Sequence, residues 1–252
     1  MGADGAATLG SMEEPTIRQP TPKLCIIKKS LILGVSGPIG LAQRFAGRIE
    51  KLWAEDRSLT GQKPWQAMTT IRGALWEILG PELQVADVAK RALGQGAIRS
   101  AYSTSLLAVP VAKKTCLFQF DQQGAPEEAT ENIPFVSIGS AQKIADPFLA
   151  FLRDVFWSEK LPGVGDGVFA TVWTLLHAVR TNPGGVAEPI EVGVLRCKDQ
   201  TFEATILSDE EMDEHRQAVR KAEKHLQTFP ASLQEQPEEE PADTPPPEPE
   251  KC

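Results

Sequence analysis

The sequence predicts an α+β domain in four layers: two antiparallel sheets stacked face to face, with helices over both outer faces, an αββα sandwich. Two observations carry this. Short β-rich runs recur in groups joined by polar turns. Pairs of amphipathic helical stretches separate those groups. Strands therefore arrive in twos and threes between helix pairs, whereas parallel βαβ units would alternate one strand with one helix.

The elements follow in order. Residues 23–27 and 31–36 are apolar runs split by Lys28-Lys29-Ser30, which reads as a hairpin. Leu41, Phe45, Ile49, Leu52 and Trp53 then fall at helical spacing. A second helix carries Trp65, Met68, Ile71, Leu75, Trp76 and Leu79; Pro81 is expected to end it ahead of a shorter helix around 85–93. Strands return at 104–109 and 115–120, with Pro110 and Lys113-Lys114 marking the turn between them and Asp121 to Gly124 closing the second. A further strand is expected at 134–138. Gly139-Ser140-Ala141 leads into a helix bearing Ile144, Phe148, Phe151, Leu152, Val155 and Phe156. After a Gly-rich turn at 162–167, another helix carries Val168, Val172, Leu175, Leu176 and Val179 and stops at Thr181-Asn182-Pro183-Gly184-Gly185. Residues 190–195 and 201–206 make a last hairpin.

Residues 1–208 thus form the domain. Ser208 followed by Glu211 is a capping-box pattern that opens a surface helix over 209–230. The tail 231–252 has six prolines, seven acids and one base, a composition that cannot bury enough apolar surface to offset its ordering entropy, and is expected to be disordered. The tail supplies −6 of the net charge of −8, so the remaining chain is nearly neutral. Nothing in that balance suits nucleic acid. No apolar run is long enough to span a membrane. Cys25, Cys116, Cys197 and Cys252 show no metal-ligand spacing and read as buried apolar thiols of a reducing cytoplasm.

Two glycine patterns invite a functional reading. Gly34-Val35-Ser36-Gly37-Pro38-Ile39-Gly40 joins a strand to a helix, as a dinucleotide phosphate loop does. Such a site needs a second strand after the helix, ending in an acid. Here Glu55-Asp56-Arg57-Ser58 leads into another helix, so tight packing at a strand–helix junction is the better reading and a nucleotide-dependent oxidoreductase is not expected. The second pattern is the opening, Gly2-Ala3-Asp4-Gly5-Ala6-Ala7-Thr8-Leu9-Gly10, which alone is a small-residue turn.

Taken in order, Asp4-Gly5-Ala6-Ala7-Thr8-Leu9-Gly10, then Lys23 ahead of Leu24-Cys25-Ile26-Ile27, then Gly34-Val35-Ser36-Gly37 resembles proteasome β subunits, and especially the bacterial two-component heat-shock peptidase. Later segments agree: Ser103 to Leu107 with Phe118-Gln119-Phe120-Asp121 and Gly124, Phe135 to Ser140, and Gly184-Gly185 before Pro189-Ile190-Glu191-Val192-Gly193-Val194. The resemblance covers about residues 2–210 and rests on the order of short matches. It implies the four-layer fold of the N-terminal-nucleophile (Ntn) hydrolases.

It also implies chemistry. In that family the first residue of the mature chain, usually Thr, attacks the peptide carbonyl, and its own α-amine is the general base. An α-amine near pKa 7.7–8 suits that task, and a neighbouring ammonium keeps it unprotonated. By motif position Lys23 is that lysine, Asp4 its carboxylate, Gly37 the oxyanion donor, and Ser140 the serine supporting the amine. No metal or other cofactor is implied. The implied partners are a peptide or protein substrate and further copies in a homo-oligomeric ring, with an ATP-dependent unfoldase left open.

Two departures stand out. The family's Asp ahead of its Gly-Gly turn is replaced by the neighbourhood Arg180-Thr181-Asn182-Pro183. And Asp4 falls just after the family's second strand, which places the nucleophile-bearing first strand ahead of Met1. Thr8 cannot substitute, because a cut before it would remove Asp4. An interior strand left out exposes a row of unpaired backbone groups, and residues 1–10, with Asp4 as their single charge and no proline, do not show a charged or Pro-blunted edge. The expectation is therefore a threonine-type peptidase or amidohydrolase with its nucleophile upstream of Met1. The alternative is a catalytically inactive proteasome-like scaffold.

Overall fold

A computed structural model of the chain describes residues 1–8, 16–18, 22–55, 59–94, 101–182 and 185–234. Expectations about Leu9, Gly10, residues 56–58, Pro183, Gly184, residues 235–252 and Cys252 lie outside these.

The larger sheet has five antiparallel strands in the order β4-β5-β6-β7-β8. These are β4 Leu24–Ile27, β5 Leu31–Ser36, β6 Thr104–Val111, β7 Lys114–Phe120 and β8 Pro126–Glu128. The smaller sheet is β1 Gly2–Ala3, β9 Glu191–Lys198 and β10 Thr201–Ile206, with β9 in the centre. A separate pair joins β2 Ala6–Thr8 to β3 Thr16–Arg18. Helices α1 Ile39–Glu55 and α2 Pro64–Leu93 cover the larger sheet; α3 Gln142–Phe156, α4 Val164–Thr181 and α5 Asp209–Gln234 cover the smaller one.

Strand alternation builds the layers, since successive side chains point to opposite faces. Leu31 and Leu33, Leu107, Val109 and Val111, and Phe118 and Phe120 point outward into Phe45, Ile49, Ile71, Leu75 and Leu79 of α1 and α2. On the other side Val192 and Val194 meet Val168, Val172 and Trp173 of α4. Between the sheets lie Leu24, Ile32, Ala108 and Ala204, with Met1, Ala3, Ile26, Leu117 and Leu195 beside them. This is the four-layer αββα arrangement the sequence predicts.

Several local expectations need correction. Pro81 does not end a helix: α2 runs through it to Leu93. Gly80 precedes it, and without a Cβ the usual clash with the proline ring is relieved. Pro110 lies inside β6, opposite Thr115, and the turn is formed by Ala112 and Lys113 at φ 49° and 63°. The β5 ladder reaches only Ala108, so Pro110 needs no donor on that side. Residues 134–138 form no strand; β8 at 126–128 takes the edge beside β7 instead. The Gly-rich turn at 162–167 is shorter than expected, because α4 starts at Val164.

The capping box forms: Ser208 N–H donates to Glu211 Oε2 at 2.8 Å, and Glu211 N–H to Ser208 Oγ at 3.3 Å. Those contacts hold the Glu211 carboxyl below its ordinary range. The helix continues to Gln234, four residues beyond the expected end at 230. Of the described cysteines only Cys116 is buried; Cys25, on the edge strand β4, and Cys197, near the end of β9, are exposed. Burial, reinforced by the Glu128 carboxylate, pushes the Cys116 thiol up to about 12, which makes it inert.

Candidate functional site

Asp4 follows β1 at the rim where the two sheets meet. Its Oδ1 accepts from Lys23 Nζ at 2.7 Å. Its Oδ2 accepts from the N–H of Ala6 at 2.8 Å and of Ala187 at 3.3 Å. The first is the short-range turn bond that Asp favours. The second ties the opening turn to the loop before β9. Gly5 N–H adds a 2.7 Å bond to Ala187 O. The Asp4 side chain is 17% exposed and that of Lys23 32%, so the pair is partly shielded from water and less screened than a surface pair.

Lys23 immediately precedes β4. The β4–β5 register sets Leu24 opposite Gly34, which places Lys23 beside Val35, just before Ser36 and Gly37. Gly37 has φ +142°, and a Cβ there would meet Tyr102 O at 2.7 Å and Ser103 Cα at 2.9 Å. Only glycine fits this turn. Gly139, at φ +90°, faces Ser36: a Cβ on it would lie 2.8 Å from Ser36 Oγ. Ser140 follows, and its Oγ donates to Gly185 O at 3.0 Å. Gly185 lies in the same loop as Ala187, which bonds Asp4.

The contacts therefore close on themselves. Lys23 holds Asp4, Asp4 holds Ala187, Gly185 accepts from Ser140, Gly139 abuts Ser36, and Ser36 adjoins Gly37 and, through the register, Lys23. The four residues singled out from the sequence sit on one circuit at one end of the sandwich. An ammonium, a carboxylate that orients it, and a sharp glycine turn are the parts needed to keep a nearby amine deprotonated and to stabilise an oxyanion.

Two further residues join the circuit. Asn182, in the neighbourhood where the resemblance leads one to expect an Asp, points its Nδ2 at Ser140 O, 3.5 Å away. Its carbonyl accepts from Gly185 and Val186, both at 3.3 Å. Glu191 Oε1 accepts from Lys23 N–H at 2.8 Å and Leu24 N–H at 2.9 Å. Sequence reasoning passed over Glu191. Its one signal is an acid inside the apolar run Pro189-Ile190-Glu191-Val192.

Met1 also runs in the ladder beside β9. Its α-amine donates to Gly193 O and its carbonyl accepts from Gly193 N–H, both at 2.8 Å. Burial pushes that amine down to about 6. No group of three or more His, Cys, Asp or Glu suited to a metal occurs among the described residues. Nor does any helix among them have the length and apolarity to cross a membrane.

No protein-family model matches the chain, and no curated protein matches it in sequence. Solved structures do match in shape. A Gly-1 mutant of Anbu from Hyphomicrobium sp. strain MC1 aligns with a TM-score of 0.61 at 16% identity, over 93% of each chain. Anbu (ancestral beta-subunit) from Yersinia bercovieri gives 0.61 at 16%, over 91% of each. A subunit from the helical assembly of the Anbu complex from Pseudomonas aeruginosa gives 0.61 at 13%, over 90% of each. At such identities the likeness concerns the fold. The chain thus has the proteasome-like fold of the Ntn hydrolases, in common with these bacterial Anbu subunits.

Proposed function

We propose that this chain carries the supporting half of a threonine-type peptidase site, with the nucleophile on residues that precede Met1. The observation behind this reading is the Lys23–Asp4 contact on the circuit shared with Gly37 and Ser140. In the proposed reaction an N-terminal Thr hydroxyl attacks the peptide carbonyl and its α-amine takes the proton. The Lys23 ammonium disfavours a second positive charge beside it, which leaves the amine free to accept that proton. Asp4 fixes Lys23, the Gly37 N–H receives the oxyanion, and Ser140 steadies the amine. Met1 is already in register with Gly193, so a residue joined ahead of it extends the same strand. Peptides or proteins are the proposed substrates, with no cofactor required. Self-association into a larger assembly is proposed as well, in keeping with the helical assembly formed by the Pseudomonas aeruginosa neighbour.

The test is Lys23→Ala in the protein as made by its native source, assayed on peptide substrates. The expected result is loss of turnover by at least about 100-fold, the scale of removing a group that sets general-base chemistry, with assembly unchanged. Retained turnover would sink the assignment.

A second reading, a proteasome-like scaffold without catalysis, is favoured by one feature. The neighbourhood where the resemblance leads one to expect an acid carries Asn182, whose amide is turned to a backbone carbonyl. Absence of turnover in the native, fully processed protein would select it.

A further inference from the structure

Lys23 is held at both ends by acids from the other sheet. Asp4, directly after β1, takes its ammonium, and Glu191, at the start of β9, takes its main-chain N–H. β1 and β9 are paired strands, with Ala3 opposite Glu191, so the two carboxylates stand on adjacent strands and reach across the seam together. Glu191 does this with a single oxygen. Its Oε1 accepts both Lys23 N–H and Leu24 N–H, at 2.8 and 2.9 Å, where the chain bends into the edge strand β4. Hydrogen bonds to a carboxylate are stronger than neutral ones, and two donors converging on one oxygen fix the orientation of both peptide planes.

The Cα of Lys23 lies between those planes, so their orientation sets where its side chain leaves the backbone. Nothing else requires a half-buried acid at this place. The neighbours Ile190 and Val192 are core residues, and an apolar side chain at 191 would leave two N–H groups without this acceptor.

We infer that Glu191 is a positioning residue for Lys23: by clamping the main chain of residues 23 and 24 it delivers the lysine ammonium to Asp4. The functional meaning rests on the peptidase reading, but the physical claim does not, and it is tested without turnover. The experiment is lysine-resolved acetylation of the full chain with limiting acetic anhydride, quantified by mass spectrometry, with exposed Lys29 and Lys113 as internal references. Acylation needs the amine free of its carboxylate, so a held Lys23 labels slowly. Asp4→Asn is the positive control and releases it.

Glu191→Ala is expected to raise Lys23 labelling by about tenfold relative to the references, the scale of one lost charge-assisted hydrogen bond. Glu191→Gln keeps an acceptor oxygen at the same reach and is expected to stay within about twofold of the unaltered chain. Should the alanine variant fail to fold, Glu191→Asp, one methylene too short to serve both donors, is expected to give an intermediate rise. Labelling of Lys23 that rises with Asp4→Asn but not with Glu191→Ala or Glu191→Asp would overturn the inference. Failure of the peptidase reading would show separately, as absent turnover in a native protein whose Lys23 is nonetheless protected.

Discussion

The core under α1 and α2 and the seam between the two sheets are built from different residues. Phe118, Phe120, Leu31, Leu33, Leu107 and Ile71 fill the first, all at 2% exposure or less. The seam has Leu24, Ile32, Ala108 and Ala204, with Gly34 against Met1 and Gly193 against Ile32. The outer core buries more and larger apolar side chains than the seam, so it contributes more to stability. The seam contributes less, but it decides how closely the sheets approach. Each contact that reaches Lys23 from Asp4 or Glu191 crosses it.

The largest expected effect breaks the outer core. Phe118→Ala, at a side chain with no exposed surface, is expected to cost about 3–5 kcal/mol in chemical denaturation, because a cavity is left under α1 and α2. The next acts on the seam. A Cβ on Gly193 would lie 3.1 Å from Ile32 Cδ1 and 3.3 Å from Ile206 Cδ1, both flexible side-chain ends. Gly193→Val is therefore expected to cost less, about 1–3 kcal/mol, and to loosen the sheets. Raised acetylation of Lys23 with a loss no larger than this would set the two layers apart. A loss as large as that of Phe118→Ala would erase the difference.

Gly47 supplies a smaller effect of opposite sign. It lies inside α1 with nothing within 4 Å of an added Cβ, so Gly47→Ala is expected to stabilise by about 0.5–1 kcal/mol. The smallest effect belongs to the α3–α4 layer. His177 stacks on Phe148 with centroids 4.3 Å apart, and burial, with Arg180 nearby, holds its pKa below the ordinary 6.5. The folded state then binds fewer protons than the unfolded one, so this contribution is present above pH 6.5 and lost as pH falls through the lowered value. A thermal-denaturation series from pH 8 to pH 5 (about the span over which His changes charge) checks this, with His177→Phe expected to flatten its acid side.

Much of this architecture was legible in the sequence, for identifiable reasons. The helical spacing of Leu41, Phe45 and Ile49 and the short apolar run from Leu31 to Ser36 are local signals, and their elements formed where expected. Proline misled twice. At Pro81 the preceding Gly80, itself legible in the sequence, relieves the clash, whereas at Pro110 the missing neighbouring strand is set by the tertiary structure. Residues 134–138 looked like a strand by composition, but pairing needs a free edge and β8 occupies it. Asp4, Lys23, Gly37 and Ser140 were singled out by the order of motifs, whereas their shared circuit depends on the loop 185–187. Glu191 shows in the sequence only as an acid inside an apolar run, because its partners are main-chain groups set by how β9 faces β4.

The proposed function needs a nucleophile carried ahead of Met1. Mass spectrometry of the N-terminal peptide, on protein purified from its native source, tests it most directly. The expected mature chain begins with Thr, Ser or Cys about a dozen residues before Asp4, roughly one strand and turn. A mature chain beginning at Met1 or Gly2 would contradict it and leave the fold as a scaffold.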